Sequence, residues 1–149
     1  MPNYWYSSLS GETFFAPWFE YRNDISSVFI GDGVTNIGSN AFYYCSNMSS
    51  VNIPNSVISI ESGAFRGCSG LTSVIIPNSV TFIEVFAFRQ CVGLTEIINY
   101  QEIPQDIHFT VFVLVDQTHC TLLVPAGSID AYRNADVWKD FVNIKEIKI

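Results

Sequence analysis

The chain has 149 residues, of which 48% are hydrophobic, and it carries 14 Asp and Glu against 7 Lys and Arg, for a net charge of −7. This length suits one domain with a sizeable core. The sequence has no basic run to release counterions from nucleic acid, and no apolar run approaches the roughly 18 residues needed to span a bilayer. We therefore exclude nucleic acid as a partner and direct membrane insertion.

Aromatic residues are concentrated in residues 1–24. The group comprises Tyr4, Trp5, Tyr6, Phe14, Phe15, Trp18, Phe19 and Tyr21. We interpret this segment mainly as an amino-terminal cap, because the end of a repeat array otherwise exposes an apolar cross-section and an unpaired strand edge. The alternative is carbohydrate recognition, since sugar rings stack on exposed aromatic side chains. That interpretation requires Trp5, Trp18 or Tyr21 to lie clear of the core.

Residues 25–98 repeat every 23 residues. The segment from Ile53 to Val57 recurs from Ile76 to Val80 as Ile-Pro-Asn-Ser-Val, and an Ala-Phe pair follows at the same spacing. The pairs are Ala41-Phe42, Ala64-Phe65 and Ala87-Phe88. A period of about 20–50 residues indicates a solenoid, in which each repeat buries its apolar face by stacking on its neighbours. The sequence therefore predicts an α/β-type solenoid as a single domain over residues 1–149.

Each repeat begins with the spacing L-x-x-V-x-I, whose last positions alternate as in a β-strand. Val28, Val51, Val74 and Ile97 occupy the inward position. Stacked copies predict a parallel sheet along one face of the solenoid. The outward positions are Ser27, Phe29, Ser50, Asn52, Ser73, Ile75, Glu96 and Ile98. We take them as the candidate binding surface, because solenoids commonly bind on this face; the alternative is that they reflect only the β-propensity of a short sheet.

The remainder of each repeat returns the chain to the next strand. Pro54 and Pro77 end their strands because proline lacks the N–H that a ladder needs. The Ala-Phe pair is expected to place a ring at the centre of each coil, followed by a short helical turn. Cys45, Cys68 and Cys91 occupy the same position in successive repeats, and this spacing predicts a column of buried thiols. One disulfide or a metal site are the alternatives, although the short paired spacing of zinc ligands is absent.

Residues 99–149 are predicted to form an irregular repeat and a carboxy-terminal cap. Val34, Val57 and Val80 form a further column at the repeat spacing. Ile103-Pro104 and Phe112 are interpreted as displaced members of this Val column and of the Phe column. The apolar run from 111 to 115 fits a buried strand. The segment from Thr121 to Pro125 repeats the strand-then-proline unit. A helix is predicted from about Ile129 to Asn134 with Ser128 as its N-cap, and Trp138 and Phe141 are expected to close the far end.

Four groups of residues carry reactive chemistry, and each has a plainer structural interpretation. They are Gly31 with Gly33, the segment Asp116 to Cys120, the pair Glu61 and Glu84, and His108. The glycines lack the spacing of a phosphate-binding loop, and one turn with a single His rarely completes a metal site. The two glutamates share a phase without an implied cleft, and no nucleophile motif accompanies the histidine. The sequence therefore predicts no enzyme, no cofactor and no metal.

The combination L-x-x-V-x-I-P-x-S-V-x-x-I-x-x-x-A-F-x-x-C, as it stands from Leu71 to Cys91, resembles the BspA-type (treponemal) leucine-rich repeat. The resemblance covers about residues 25–98. The first copy departs from it with Gly31 in place of proline, and the fourth lacks Ala-Phe and Cys in register. The resemblance implies a right-handed leucine-rich repeat coil with the sheet on one face, short helical turns or loops on the other, and distinct caps.

The resemblance also implies a setting and a function. Proteins of this kind are described at the surface of host-associated bacteria or as secreted from them, where they act in adhesion and interaction. We therefore expect an extracellular or cell-surface module whose signal or anchor lies upstream of this chain. The expected partner is a host matrix or cell-surface protein, with a carbohydrate as the alternative. No catalytic residues are implied.

Overall fold

The computed structural model describes residues 16–148, which form a parallel-strand β-solenoid of about five turns with little helix. Its strands are β1 (Ser27–Phe29), β2 (Asn36–Ile37), β3 (Ser50–Asn52), β4 (Ser59–Ile60), β5 (Ser73–Ile76), β6 (Phe82–Ile83), β7 (Glu96–Asn99), β8 (Thr121–Val124) and β9 (Asn143–Glu146). The helix α1 spans Ile129–Asn134, and 3₁₀ turns span Phe19–Tyr21 and Trp138–Asp140. The solenoid predicted from the period is therefore confirmed, and so is the leucine-rich repeat coil that the resemblance implies.

The strands pair in parallel with the register that the period predicts. Strand β1 pairs with β3, and β5, β7, β8 and β9 form a four-stranded sheet that β3 contacts. Residues one repeat apart are partners, as in Val28 with Val51 and Val74 with Ile97. A second sheet of β2, β4 and β6 forms another side of the coil. Backbone hydrogen bonds on these two sides therefore join neighbouring coils, although β3 and β5 contact each other while belonging to separate sheets.

A column of phenylalanine rings runs through the core. Phe42 and Phe65 stack with ring centroids 5.5 Å apart, Phe65 and Phe88 at 5.4 Å, and Phe88 and Phe112 at 5.7 Å. The planes of successive rings differ by 9–11°. Phe65 and Phe88 are fully buried. The displaced membership predicted for Phe112 is confirmed, because one extra residue in the preceding loop still returns its ring to the column.

Larger side chains cover both ends of this column in the described residues. Trp18 stacks on Phe42 at 5.8 Å, and its indole N–H donates to the carbonyl of Ala41 (2.7 Å). At the other end, Trp138 and Phe141 meet the Phe112 ring edge-on, at 5.4 and 5.2 Å. The predicted cap residues Tyr4, Trp5, Tyr6, Phe14 and Phe15 lie outside the described residues. The division into cap, regular repeats and irregular end stays a prediction.

The side of the coil that follows the column of Ile37, Ile60 and Ile83 consists of single hydrogen-bonded turns and not of a continuous helix. Cys45 N–H closes one such turn on the carbonyl of Phe42 (3.2 Å). Alternate amides bond along the solenoid axis, as when Phe42 N–H donates to the carbonyl of Ala64 (2.8 Å) and Tyr44 N–H to that of Arg66 (2.7 Å). The cause is a left-handed backbone at recurring positions, which interrupts the helical progression. These positions are Asn40, Tyr44, Gly63, Gly67, Phe86, Gln90 and Leu114, with φ between 55° and 77°.

The run 111–115 is a further copy of this turn segment and not the strand that its composition predicts. The carbonyl of Val111 accepts from Phe88 N–H (3.1 Å), and that of Val113 accepts from Gln90 N–H (2.9 Å). Apolar composition alone cannot distinguish a buried strand from a buried turn of a solenoid. The position in the repeat decides the structure here.

Another expectation for the irregular end is wrong. Ile103 does not join the column of Val34, Val57 and Val80 and is 80% exposed. The buried Gln105 lies against that column instead and donates to the carbonyl of Val80 (2.8 Å).

The helix α1 has the predicted bounds, and Ser128 is its N-cap residue, as predicted. The hydroxyl of Ser128 makes no capping hydrogen bond, because the backbone of Ser128 is itself helical (φ −92°, ψ −7°).

The cysteines form a second interior column, as predicted. All four are buried and free, and the thiols of Cys68 and Cys91 donate to the carbonyls of Phe42 and Phe65 in the preceding coil (both 3.1 Å). Burial raises the pKa of Cys45 to about 11 and that of Cys91 to about 12. Burial raises the pKa of Cys68 as well. The thiol column therefore stays protonated near neutral pH.

We expect Phe65→Ala to destabilise the protein by about 3–5 kcal/mol, because it leaves a cavity between two stacked rings. Phe82→Ala is the matched control, since the Phe82 ring lies on the outside of β6 and is 64% exposed; its cost should stay within about 0.5 kcal/mol. Urea denaturation of both variants measures the difference. Equal costs would contradict the ring column as a source of stability.

We also expect the native thiols to resist alkylation by iodoacetamide at pH 8. The thiolate is the reactive species, and the raised pKa values of Cys45 and Cys91 keep its population low in the folded state. Unfolding in urea should expose all four cysteines and restore ordinary reactivity. Mass spectrometry of timed samples measures both rates, and rapid modification of the native protein would contradict the buried column.

Candidate interaction surface

The strand positions predicted to face outward lie side by side on one face, which we call the strand face. It is defined by Ser27, Phe29, Ser50, Asn52, Ser73, Ile75, Glu96 and Ile98. Strand register places Ser27 beside Ser50 and Phe29 beside Asn52. It also places Ile75 beside Ile98. The alternation of β-strands turns the side chains between these positions inward.

The strand face combines exposed apolar side chains with hydroxyl and amide groups. Phe29 is 82% exposed and Ile75 is 48% exposed, whereas Glu96 and Ile98 are half-buried. The lower exposure of Ile98 follows from its two neighbours in register, Ile75 and Leu123. Such a mixture of apolar and uncharged polar groups is suited to contact with another molecule.

The strand face continues beyond the predicted set onto β8 and β9. Thr121 and Leu123 lie in register with Glu96 and Ile98, and Asn143 and Lys145 follow them. The sequence contained a signal for the first two, because Leu122, Leu123 and Val124 precede a proline as in the regular repeats. It gave none for β9, whose segment has no proline and no partner at the repeat spacing.

The glutamates Glu61 and Glu84 serve contacts between neighbouring coils. The carboxylate of Glu61 accepts from the side-chain amide of Asn36 (3.0 Å). That of Glu84 accepts from the backbone N–H of Ser62 (3.1 Å). These hydrogen bonds use the carboxylates as acceptors within the scaffold. No pair of carboxylates facing a cleft emerges from this geometry.

The segment from Asp116 to Cys120 is a polar turn before β8. Asp116 accepts from the hydroxyl of Thr118 (2.6 Å) and pairs with the ring nitrogen of His119 (2.8 Å). The hydrogen bond from Thr118, followed by that from His119, lowers the pKa of Asp116 to about 2. Cys120 is buried. Within residues 16–148, no three His, Cys, Asp or Glu side chains are grouped to hold a metal ion.

The remaining candidates also have local structural partners. Gly33 has a φ of 91°, and its N–H donates to the hydroxyl of Ser56 one coil away (3.2 Å). A ring nitrogen of His108 lies 2.8 Å from the hydroxyl of Thr110. The glycines therefore belong to a repeat turn and the histidine to a loop, as their plainer interpretations predict.

Comparisons with known proteins agree with the repeat geometry. The sequence profile described as BspA type leucine-rich repeat region matches residues 13–116 with six copies. A leucine-rich cell surface protein of Faecalibacterium prausnitzii A2-165, known from its crystal structure, is similar at 38% identity and a TM-score of 0.51. The similarity covers 55% of this chain and 21% of that protein. No curated protein matches this chain.

A search of the described residues for a helix long and apolar enough to cross a membrane finds none.

Proposed function

Since this chain belongs to the BspA-type leucine-rich repeat family, we propose that it is a repeat module of the bacterial cell surface that binds a protein partner through its strand face. In this proposal the module is non-catalytic and acts in adhesion. Its partner is a host matrix or host cell-surface protein. The whole protein is displayed outside the cell.

The observation that carries this proposal is the register of the strand face. Parallel pairing aligns Phe29 with Asn52 and Ile75 with Ile98, and β3 contacts β5. Exposed Phe29 and Ile75 therefore lie on one face with the hydroxyls of Ser27, Ser50 and Ser73. An exposed apolar area with a polar surround is typical of protein interaction sites. Solenoids present such areas on a continuous surface, which suits an extended partner.

The chemistry of the same face supports binding over catalysis. Glu96 is the one titratable side chain among the eight predicted residues, and Lys145 is the one that β8 and β9 add. Neither has a titratable partner in strand register, so the face offers no adjacent acid–base pair. Serine hydroxyls and the amide of Asn52 are neutral donors and acceptors that fix the orientation of a partner without a large desolvation cost. We therefore infer recognition by shape, apolar contact and neutral hydrogen bonds.

Carbohydrate binding by the amino-terminal aromatics is the second candidate function. Trp18 is half-buried and uses both its ring face and its N–H in contacts with Phe42 and Ala41, which makes it unsuited to stack on a sugar. Tyr21 is 62% exposed and is the described residue that favours this function. Trp5 lies outside the described residues. The protein partner remains the better supported proposal.

We expect the triple variant Phe29→Ala, Ile75→Ala and Ile98→Ala to weaken binding to the protein partner by about tenfold or more, because exposed apolar anchors carry much of the energy of an interface. The partner is first identified on an array of extracellular-matrix proteins and glycans, and affinities are then measured by surface plasmon resonance. Circular dichroism verifies that the variant is folded.

The double variant Ile58→Ala and Phe82→Ala is the matched control, because both side chains are exposed apolar groups on another side of the coil. It should bind as the unmodified chain does. Unchanged binding by the triple variant would overturn the strand face as the interface. Binding to glycans alone, lost in Tyr21→Ala, would favour the second candidate function.

A further inference from the structure

Arginine side chains and aromatic rings alternate on the side of the coil formed by the turn segments. We call this the arginine–aromatic face and define it by Tyr43, Tyr44, Arg66, Phe86, Arg89 and Gln90. The guanidinium of Arg66 lies 5.5 Å from the ring centre of Tyr43 and 5.8 Å from that of Phe86. The guanidinium of Arg89 lies 5.4 Å from the same Phe86 ring. Cation–π attraction therefore holds both side chains over one row of rings.

The repeat places these residues together. Tyr43, Arg66 and Arg89 occupy one phase in successive coils, and Tyr44, Gly67 and Gln90 occupy the next. The hydroxyl of Tyr44 donates to the side-chain carbonyl of Gln90 two coils away (2.9 Å). This contact passes over Gly67, where an added Cβ would lie 2.8 Å from the Tyr44 ring. Glycine at this position thus allows a flat aromatic surface across three coils.

Neither guanidinium forms an ion pair within the described chain. Among residues 16–148, the ion pairs are His119 with Asp116 and Lys139 with Asp136. Neither Arg66 nor Arg89 takes part in them, and the buried Nε atoms of both arginines have no hydrogen-bond partner in that part of the chain. Each side chain is partly exposed. In a chain with twice as many acidic as basic residues, a carboxylate close enough to pair with them would be the common outcome.

An arginine side chain that is already stacked on aromatic rings is well placed to bind a carboxylate. Its planar guanidinium presents several donors in a fixed geometry, which matches the two oxygens of a carboxylate, and stacking on a ring restricts its rotamers before a ligand arrives. The same stacking occupies the faces of the Tyr43 and Phe86 rings, so these rings are less suited to bind a sugar. Tyrosine and arginine are also the residues that dominate energetic hot spots between proteins.

We propose that the arginine–aromatic face is a second binding surface, separate from the strand face, and that it binds an acidic segment of a protein partner. Arg66 and Arg89 take up carboxylates, and Tyr43, Tyr44 and Phe86 supply the apolar contact beside them. Charge complementarity argues for this occupant, since neither guanidinium of this face has a carboxylate partner within residues 16–148. The proposal does not depend on the partner of the strand face.

The test measures binding of fluorescein-labelled poly-L-glutamate by fluorescence anisotropy at physiological and at low salt, with labelled heparin as a polysaccharide probe. We expect the unmodified chain to bind poly-L-glutamate, and Arg66→Gln with Arg89→Gln to weaken that binding by about tenfold or more. Arg66→Lys with Arg89→Lys should also weaken it, because lysine keeps the charge but loses the planar donors.

The matched control is Arg133→Gln with Lys148→Gln, which removes the same charge from exposed positions of the described chain. It should bind poly-L-glutamate as the unmodified chain does, and thermal melting verifies that each variant is folded. Failure of the unmodified chain to bind poly-L-glutamate would overturn the proposal. So would an equal loss in the control variant, full binding by the lysine variant, or binding of heparin without binding of poly-L-glutamate.

Discussion

The structure depends on hydrogen bonds between the backbones of successive coils. These bonds occur at three places around the coil. The strands pair in register, β2, β4 and β6 pair across a second side, and the turn segments bond through Phe42 N–H to Ala64 and Phe65 N–H to Ala87. Buried backbone groups must find partners, and the neighbouring coil supplies them. Because these bonds fix the alignment of successive coils, side chains at equivalent positions of the repeat stack on one another. This stacking produces the phenylalanine and cysteine columns.

The 23-residue spacing predicts which side chains of neighbouring coils stack on one another. It does not predict the backbone conformation of the turns, which residue type alone does not determine. Strand register, the ring column and the thiol column follow directly from the period. The turn side does not, because Tyr44, Phe86 and Gln90 adopt a left-handed backbone that their residue types do not indicate. Asn40, Gly63 and Gly67 are the positions whose residue types favour this conformation. The candidate binding residues divide in the same way: strand alternation predicts the strand face, whereas the arginine–aromatic face requires the turn geometry.

Where the repeat loses its period, buried polar side chains replace apolar ones. The side chain of Asn99 donates to that of Gln105 (2.8 Å), which in turn donates to the carbonyl of Val80 (2.8 Å). The indole of Trp138 donates to the carbonyl of Gln105 (2.8 Å). These side chains provide hydrogen-bond donors to the backbone carbonyls of Val80 and Gln105. Sequence patterns that assign polar residues to the surface cannot predict these buried hydrogen bonds. For this reason the repeat pattern predicts Ile103, and not Gln105, beside Val80.

Hydrogen bonding between successive coils constrains the inward side chains more than those of the two proposed surfaces. Inward side chains stack on their counterparts in the next coil, so a substitution such as one at Phe65 disturbs the neighbouring coils. Outward positions contact solvent, and Phe29 and Asn52 differ widely in chemistry at one position of the repeat although β1 and β3 stay in register. At the Tyr43 phase the sequence likewise changes from tyrosine to arginine while the backbone ladder continues. The outward side chains can therefore differ from one coil to the next without changing the fold. A partner that spans several coils contacts a combination of these side chains rather than those of a single repeat.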